Sequence, residues 1–314
     1  MPPIPSSTAP AAQQVANVGR SRSPNLDLIR AVAVFFVLSS HFMLNNGFYE
    51  RPVAGIRMYI MVLMRYFFVT CVPLFLLLTG YLSGNKKPEW AYFRKLGHTL
   101  VLYSMASVTC LLFSRFYLGE DFTLMQGILR IFNFSASNYA WYVEMYIGLF
   151  LLSPFLNSMY HGLTEKRHKQ LLLLILILIT CAPSVFNVID LTKPGILNKF
   201  TSTDYSQLVP AFWKLYPIQY YMIGMYLREY GWNISLRRCA MFIVAAAVVF
   251  TGYNIFRRYQ VPFLSGSPWL GRSSLQNLII SVLVFGFLLK MPLERTPKWL
   301  SAMIQKISQL SFLI

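Results

Sequence analysis

Apolar runs of about twenty residues recur along nearly the whole of this 314-residue chain, and they constrain its fold more than anything else in it. As a helix, a run of that length crosses the roughly 30 Å hydrocarbon core of a bilayer. In lipid the backbone must satisfy its own hydrogen bonds, and a helix does so within a single segment. Only 12% of the residues are charged, against about 25% in a typical soluble domain. The fold class that follows is all-α, a polytopic transmembrane helical bundle.

Spans are predicted near 28–48, 57–83, 97–118, 139–158, 170–189, 211–230, 238–257 and 273–291. That is eight full crossings. A ninth starts near 302 and meets the chain end at Ile314, short of the roughly 20 residues a crossing needs, so a C-terminally truncated membrane domain is one expectation. Residues 1–24 are rich in Pro, Ala, Ser and Gln and have no charged segment followed by an apolar core. They read as a disordered cytoplasmic leader before one membrane domain over 25–314, with the first span as an uncleaved signal-anchor. The 119–138 loop has room for a short amphipathic helix on the outer face. The 190–210 loop is placed to cap the outer mouth of a cavity.

The net charge of +17 would suit nucleic acid, but its distribution excludes that partner. The basic residues sit in short loops between apolar runs, and no aromatic–basic nucleic-acid module is present. With the N-terminus inside, sixteen of the 28 Lys and Arg fall in cytoplasmic pieces and nine in outer loops; Arg30, Arg65 and Lys214 lie inside spans. This bias puts the N-terminus in the cytoplasm and the chain in the cell membrane, with the bilayer as its partner. The four cysteines, Cys71, Cys110, Cys181 and Cys239, lack CxxC spacing and read as packing residues, and no metal site is indicated.

Three spans carry ionisable groups where lipid disfavours them. In "LDLIRAVAVFFVLSSHF" (residues 26–42), Arg30 and His41 are eleven residues apart. They therefore share a helix face to within about 20° and are separated by roughly 16 Å along the axis. Arg30 can snorkel to the cytoplasm beside Asp27, and His41 can be a packed, hydrogen-bonded core residue. Intramembrane charge more often marks function. Arg65 and Glu144 are expected at a depth similar to His41, in the outer half, so the three are expected to line one polar cavity. The other reading of Arg65 and Glu144 is a structural ion pair.

At these residues the chain resembles the acyltransferase 3 family of integral membrane acyltransferases. Its opening pattern, Leu26, Asp27, Arg30 and then His41 after ten residues, is similar to that of the family. "VPLFLLLTGYL" (72–82), "WYVEMYIGLFLLSP" (141–154), "YYMIGMYL" (220–227) and the closing "SQLSFLI" resemble later family segments in the same order. Where the family often has two arginines three apart, this chain has Lys95 and His98, with Arg94 beside them. The family usually has about ten spans.

The resemblance implies transfer of an acyl group, commonly acetyl, from cytoplasmic acetyl-CoA (acyl-CoA) to a hydroxyl of a cell-envelope glycan or lipid-linked saccharide. It implies donor binding by Arg30, Arg94, Lys95 and His98, with Arg30 at the phosphate end and His41 at the thioester end. His41 would act as general base or transient acyl carrier, with Glu144 or Arg65 setting its protonation and Arg65 stabilising the oxyanion. Trp141 and Tyr142, with Tyr139, Trp213, Tyr216, Tyr220 and Tyr221, either stack on sugar rings or form an interfacial aromatic belt. The competing class is a proton-coupled secondary transporter, which buried Arg, His and Glu would also suit, although paired Gly/Pro-broken segments in two matching halves are missing.

Overall fold

The computed structural model of the protein describes residues 23–137, 139–201, 205–263 and 268–311. Most of the leader and the last three residues therefore lie outside the described residues. Among the described residues the secondary structure is helical, with no strand beyond two isolated bridges, Pro52 to Pro262 and Val53 to Tyr259. In chain order the α-helices are α1 (Pro24–Asn45), α2 (Gly55–Phe68), α3 (Cys71–Ser83), α4 (Trp90–Phe93), α5 (Leu96–Phe116), α6 (Leu124–Phe132) and α7 (Trp141–Gly162). They continue as α8 (Lys166–Phe186), α9 (Ile196–Thr201), α10 (Tyr216–Tyr230), α11 (Leu236–Arg258), α12 (Leu275–Leu289) and α13 (Lys298–Leu310).

Five helical stretches are long and apolar enough to cross a membrane: Pro24–Asn45, Gly55–Ser83, Trp90–Phe116, Lys166–Phe186 and Leu236–Arg258. Helix α7 is long but carries Glu144 and several aromatic hydroxyls, while α10 and α12 have 15 residues each. The protein is thus a multi-pass helical membrane protein with at least these five apolar helices. Helix α5 buries little more than Ser107 and Leu111, and Val101, Met105, Leu112 and Phe113 face outward. Such an apolar exterior belongs in hydrocarbon, not water.

The second predicted span is two helices, not one. Pro73 has no N–H to offer the Val69 carbonyl, so the ladder breaks there. The Thr70 hydroxyl donates instead to the Phe67 carbonyl at 2.6 Å, and α3 starts afresh at Cys71. Local signals explain other boundaries. Pro24 opens α1, Ser274 caps α12 by accepting from the Asn277 N–H at 3.2 Å, and Gly231 ends α10 at φ +74°. The 119–138 loop does hold a short helix, α6, opened by a reciprocal Thr123–Gln126 capping box.

The centre of the bundle is the parallel crossing of α3 and α10. Gly80 and Gly224 face each other there, each against the carbonyl three residues before its partner glycine, Tyr221 and Leu77 respectively. A Cβ at either position would overlap that carbonyl. Small residues are what allow two backbones to come this close. Around the crossing pack Ile29, Ala33, Leu74, Leu77, Tyr220, Tyr221, Met222 and Phe285, all fully or almost fully buried. The free cysteines fit this picture, with Cys71, Cys181 and Cys239 buried and Cys110 half-buried.

At the end of the bundle where α1 begins, α13 packs across the first turns of α1. Ser308 donates to Asp27 Oδ1 at 2.6 Å, and Asn25 Nδ2 donates to the carbonyls of Leu288 and Met291. At 13 residues α13 is shorter than a full crossing. At the opposite end, buried polar clamps fix the loops. Arg257 Nη2 donates to the Val188 carbonyl at 2.6 Å while its guanidinium lies 3.8 Å from the Trp269 ring centroid. Trp269 Nε1 donates to Asn254 Oδ1 at 2.9 Å, and Asn254 also bonds Tyr66. These contacts fix the turn Pro268–Leu270, which determines where the following residues emerge.

Candidate active site

His41 lies four residues before the end of α1, so about 6 Å from that end of the helix. Its ring packs on Tyr139 with centroids 3.9 Å apart and planes tilted by 34°. Asn45, one turn further on, donates from Nδ2 to the Tyr139 hydroxyl at 3.2 Å. Two side chains on one face of α1 thus hold one tyrosine. Tyr139 is 38% exposed and His41 is half-buried, so this pair is reachable from that end of the bundle.

Two residues after Tyr139, Trp141 opens α7, and the Arg272 guanidinium lies over its ring at 4.1 Å. Arg272 follows the clamped Pro268–Leu270 turn, and its carbonyl accepts from the Tyr220 hydroxyl at 3.0 Å and Asn277 Nδ2 at 3.5 Å. Its charge is within electrostatic reach of His41, Cys71 and Tyr216. The cluster is therefore an imidazole, two aromatic rings and one cation, drawn from α1, the start of α7 and the segment before α12. Sequence reasoning missed Arg272 by counting it among outer-loop cations. The available signal was Ser274, a helix cap that puts Arg272 beside the end of α12 and not in mid-loop.

Among the described residues no hydrogen bond, ion pair or ring contact joins Arg65 or Glu144 to His41. The expectation of equal depth relied on helix ends that fall elsewhere. Arg65 lies ten residues into α2, about 15 Å from its start, whereas Glu144 lies in the first turn of α7. Arg65 is 3% exposed and already engaged, with Nε donating to the Tyr49 hydroxyl at 3.1 Å and Nη2 to the Leu270 carbonyl at 3.2 Å. The Tyr49 and Phe263 rings lie 5.6 and 5.2 Å from its charge. Glu144 is exposed and makes no ion pair among the described residues, and a carboxylate in a first turn complements the helix dipole. Among the described residues no ion pair joins Arg65 to Glu144.

Arg65 is instead a clamp on the turn that leads to Arg272. Arg65→Met strands the buried Leu270 carbonyl, and an unsatisfied buried acceptor costs about 1–3 kcal/mol. Thermal unfolding in detergent is expected to show a midpoint several degrees lower for this variant. An unchanged midpoint would remove the clamp from the account.

Arg30 stays at the other end of α1, its Nη1 3.4 Å from Asp27 Oδ1 and 3.5 Å from Ser308 Oγ. Arg94, Lys95 and His98, at the α4–α5 junction, are all exposed. No described hydrogen bond or ion pair joins them to Arg30. Trp141 and Tyr142 pack edge to face at 6.1 Å against the core. Tyr220 and Tyr221 are fully buried and bonded to Arg272 and Asn157, so they serve packing and not stacking on a sugar.

The end of the bundle bearing Arg30 also holds a cavity of about 270 Å³ lined by Gly80, Gly84, Asn85, Tyr160, His161, Met225, Arg228 and Glu229. Lys169 closes its rim, bonding Glu229 at 2.7 and 2.9 Å over the Tyr160 ring. His161 Nε2 lies 2.9 Å from the Gly84 carbonyl. Loop charges that served only to orient the chain in the sequence are here packed into structure.

The described residues thus form a bundle of apolar helices with a half-buried histidine near one end and basic groups near the other. The family model described as "Acyltransferase domain" matches residues 23–314. The chain belongs to this family, acyltransferase 3, and is a membrane acyltransferase. No curated protein and no solved structure matches it.

Proposed function

We propose that this acyltransferase moves an acyl group, acetyl in the simplest case, from cytoplasmic acyl-CoA to a hydroxyl of a cell-envelope glycan or lipid-linked saccharide. In this reading the chain lies in the plasma membrane with its N-terminus in the cytoplasm, following the bias of Lys and Arg. Helices α1, α2–α3, α5, α7, α8, α10, α11 and α12 are then eight crossings, the shorter ones completed by tilt and by their flanking turns.

The observation that carries the reading is the placement of His41. It is half-buried, packed on Tyr139, with the Arg272–Trp141 pair two residues along the same segment, and about 16 Å along the same helix from Arg30. A CoA whose phosphates lie among the basic groups of the cytoplasmic end can extend its thin pantetheine arm over that distance. Arg94, Lys95 and His98, exposed at that end, supply further charge for the phosphates. The acceptor approaches from outside, where Tyr139 and Trp141 offer aromatic surface and Glu144 a rim carboxylate. His41 takes the hydroxyl proton while the oxygen attacks the thioester carbon, and the imidazole then protonates the departing sulfur. Holding both reactants at one imidazole replaces an encounter in solution with a reaction within one complex.

Mass spectrometry of envelope glycans from cells with and without the gene tests this reading. The expected result is a mass increment of one acyl group per modified residue, absent when the gene is deleted. Identical spectra, together with solute uptake into proteoliposomes lacking any acyl donor, would point to the transporter class instead.

A further inference from the structure

The cation that faces the candidate histidine is not one of those inside the predicted spans. We propose that Arg272 is a further catalytic residue of the acyl transfer, its guanidinium donating hydrogen bonds to the carbonyl oxygen that becomes negative as the acyl carbon is attacked. The proposal rests on the acyl-transfer reading above and adds to it the residue that stabilises the charge.

Three observations support it. Arg272 is exposed, and among the described residues its guanidinium makes no hydrogen bond or ion pair, so its N–H donors are available to a ligand. Its position is nevertheless fixed. The main chain is held by Tyr220 and Asn277, the preceding turn is tied down through Leu270 and Trp269, and the charge rests 4.1 Å from the Trp141 centroid. Finally, Trp141 is two residues from Tyr139, which packs on His41 at 3.9 Å, so base and cation each rest on a ring of the same short segment at the start of α7. Pre-oriented donors beside a base are what developing oxyanions require. Arg65 is placed differently, buried at 3% exposure with Nε and Nη2 donating to Tyr49 and Leu270 in the interior.

The step balances without any further reactant. The acceptor oxygen bonds to the acyl carbon as its proton passes to His41, and the carbonyl electron pair moves onto the oxygen facing Arg272. Re-formation of the carbonyl breaks the carbon–sulfur bond, and the thiolate takes the proton from His41. The products are an ester and free CoA thiol.

The test uses the purified full chain in proteoliposomes, acetyl-CoA as donor, and envelope membranes from a host lacking the gene as acceptor, with thiol release followed over time. Arg272→Ala is expected to lower kcat by about 10²–10³-fold, with the KM for acetyl-CoA within about twofold of the parent. Arg272→Lys, which keeps the charge but loses the fork, is expected to recover at least tenfold of that loss. Because the backbone carbonyl of Arg272 makes the structural bonds, the lysine variant is expected to keep the parent unfolding midpoint and the alanine variant to lose no more than the exposed contact with Trp141 supplies, a few degrees at most. A kcat within threefold of the parent for Arg272→Ala overturns the proposal, and so does a loss confined to KM. So does an alanine defect that lysine leaves unrelieved. If the unmodified protein releases no thiol above the membrane background, the acyl-transfer reading itself falls, and this inference with it.

Discussion

His41→Ala is expected to lower acyl transfer by about 10²–10⁴-fold, the range that a positioned general base contributes. The size follows from the chemistry, because a sugar hydroxyl is a poor nucleophile until its proton has somewhere to go. The structure makes the experiment clean. Among the described residues the ring contact of His41 is with Tyr139, and losing such a pair costs about 0.5–1.5 kcal/mol. Asn45 still holds the Tyr139 hydroxyl in the variant, so the opening keeps its shape. Thiol release from acetyl-CoA and the acyl content of envelope glycans should therefore collapse together while the unfolding midpoint barely moves. A base must also be unprotonated to act. Activity of the parent is expected to fall on acidification as the imidazole gains a proton, and the residual activity of His41→Ala should lose that limb. A variant within threefold of the parent, or one that keeps the acid limb, would take His41 out of the reaction.

How much of this could be read from the sequence depended on whether the information was local. Long apolar runs stand alone as signals, so every predicted span has a helix in it, and the length of the 119–138 loop left room for α6, although its capping box was not read from the sequence. The break at Val69–Thr70 was also local, since Pro73 marks it, but the unbroken apolar run around it hides a bend. The shared face of Arg30 and His41 followed from helical periodicity alone. Partners across the bundle did not. Arg65 and Glu144 read as level with His41 only because the predicted helix ends lie two or three residues from Asn45, Gly55 and Trp141, and each residue of error moves a side chain by about 1.5 Å and 100°. Arg272 and Trp141 are 131 positions apart in sequence, and no periodicity connects them. The burial of Tyr220 and Tyr221 was equally hidden, because an aromatic at a membrane boundary reads the same whether it lies in the belt or in the core.

Gly80→Leu and Gly224→Leu are each expected to prevent the bundle from assembling. The argument is steric and specific to the crossing. At both positions even a Cβ would overlap a carbonyl of the facing helix, and that carbonyl belongs to backbone held in its own helical ladder. No rotamer relieves such a clash, so α3 and α10 must separate, and separation strips contacts from Leu77, Tyr220, Tyr221 and Met222 together. Overpacking a core by a few methylenes typically costs about 1–3 kcal/mol when side chains can adjust. Here they cannot, and the loss is expected to exceed that range. In lipid no hydrophobic force returns the helices to one another, because tails are as apolar as leucine, so close backbone packing has to hold the crossing. Two glycines in the same fold provide the contrast. Gly148 in α7 and Gly252 in α11 have nothing within 4 Å of an added Cβ, so alanine at either is expected to be neutral or to stabilise by roughly 0.5–1 kcal/mol through helix propensity. The measurement is the fraction of monodisperse protein left after a graded heat challenge in detergent. The expected order is Gly148→Ala and Gly252→Ala at or above the parent, with Gly80→Leu and Gly224→Leu giving almost no monodisperse protein at any temperature. If the two leucine variants survived like the parent, the α3–α10 contact would not be what holds the bundle together.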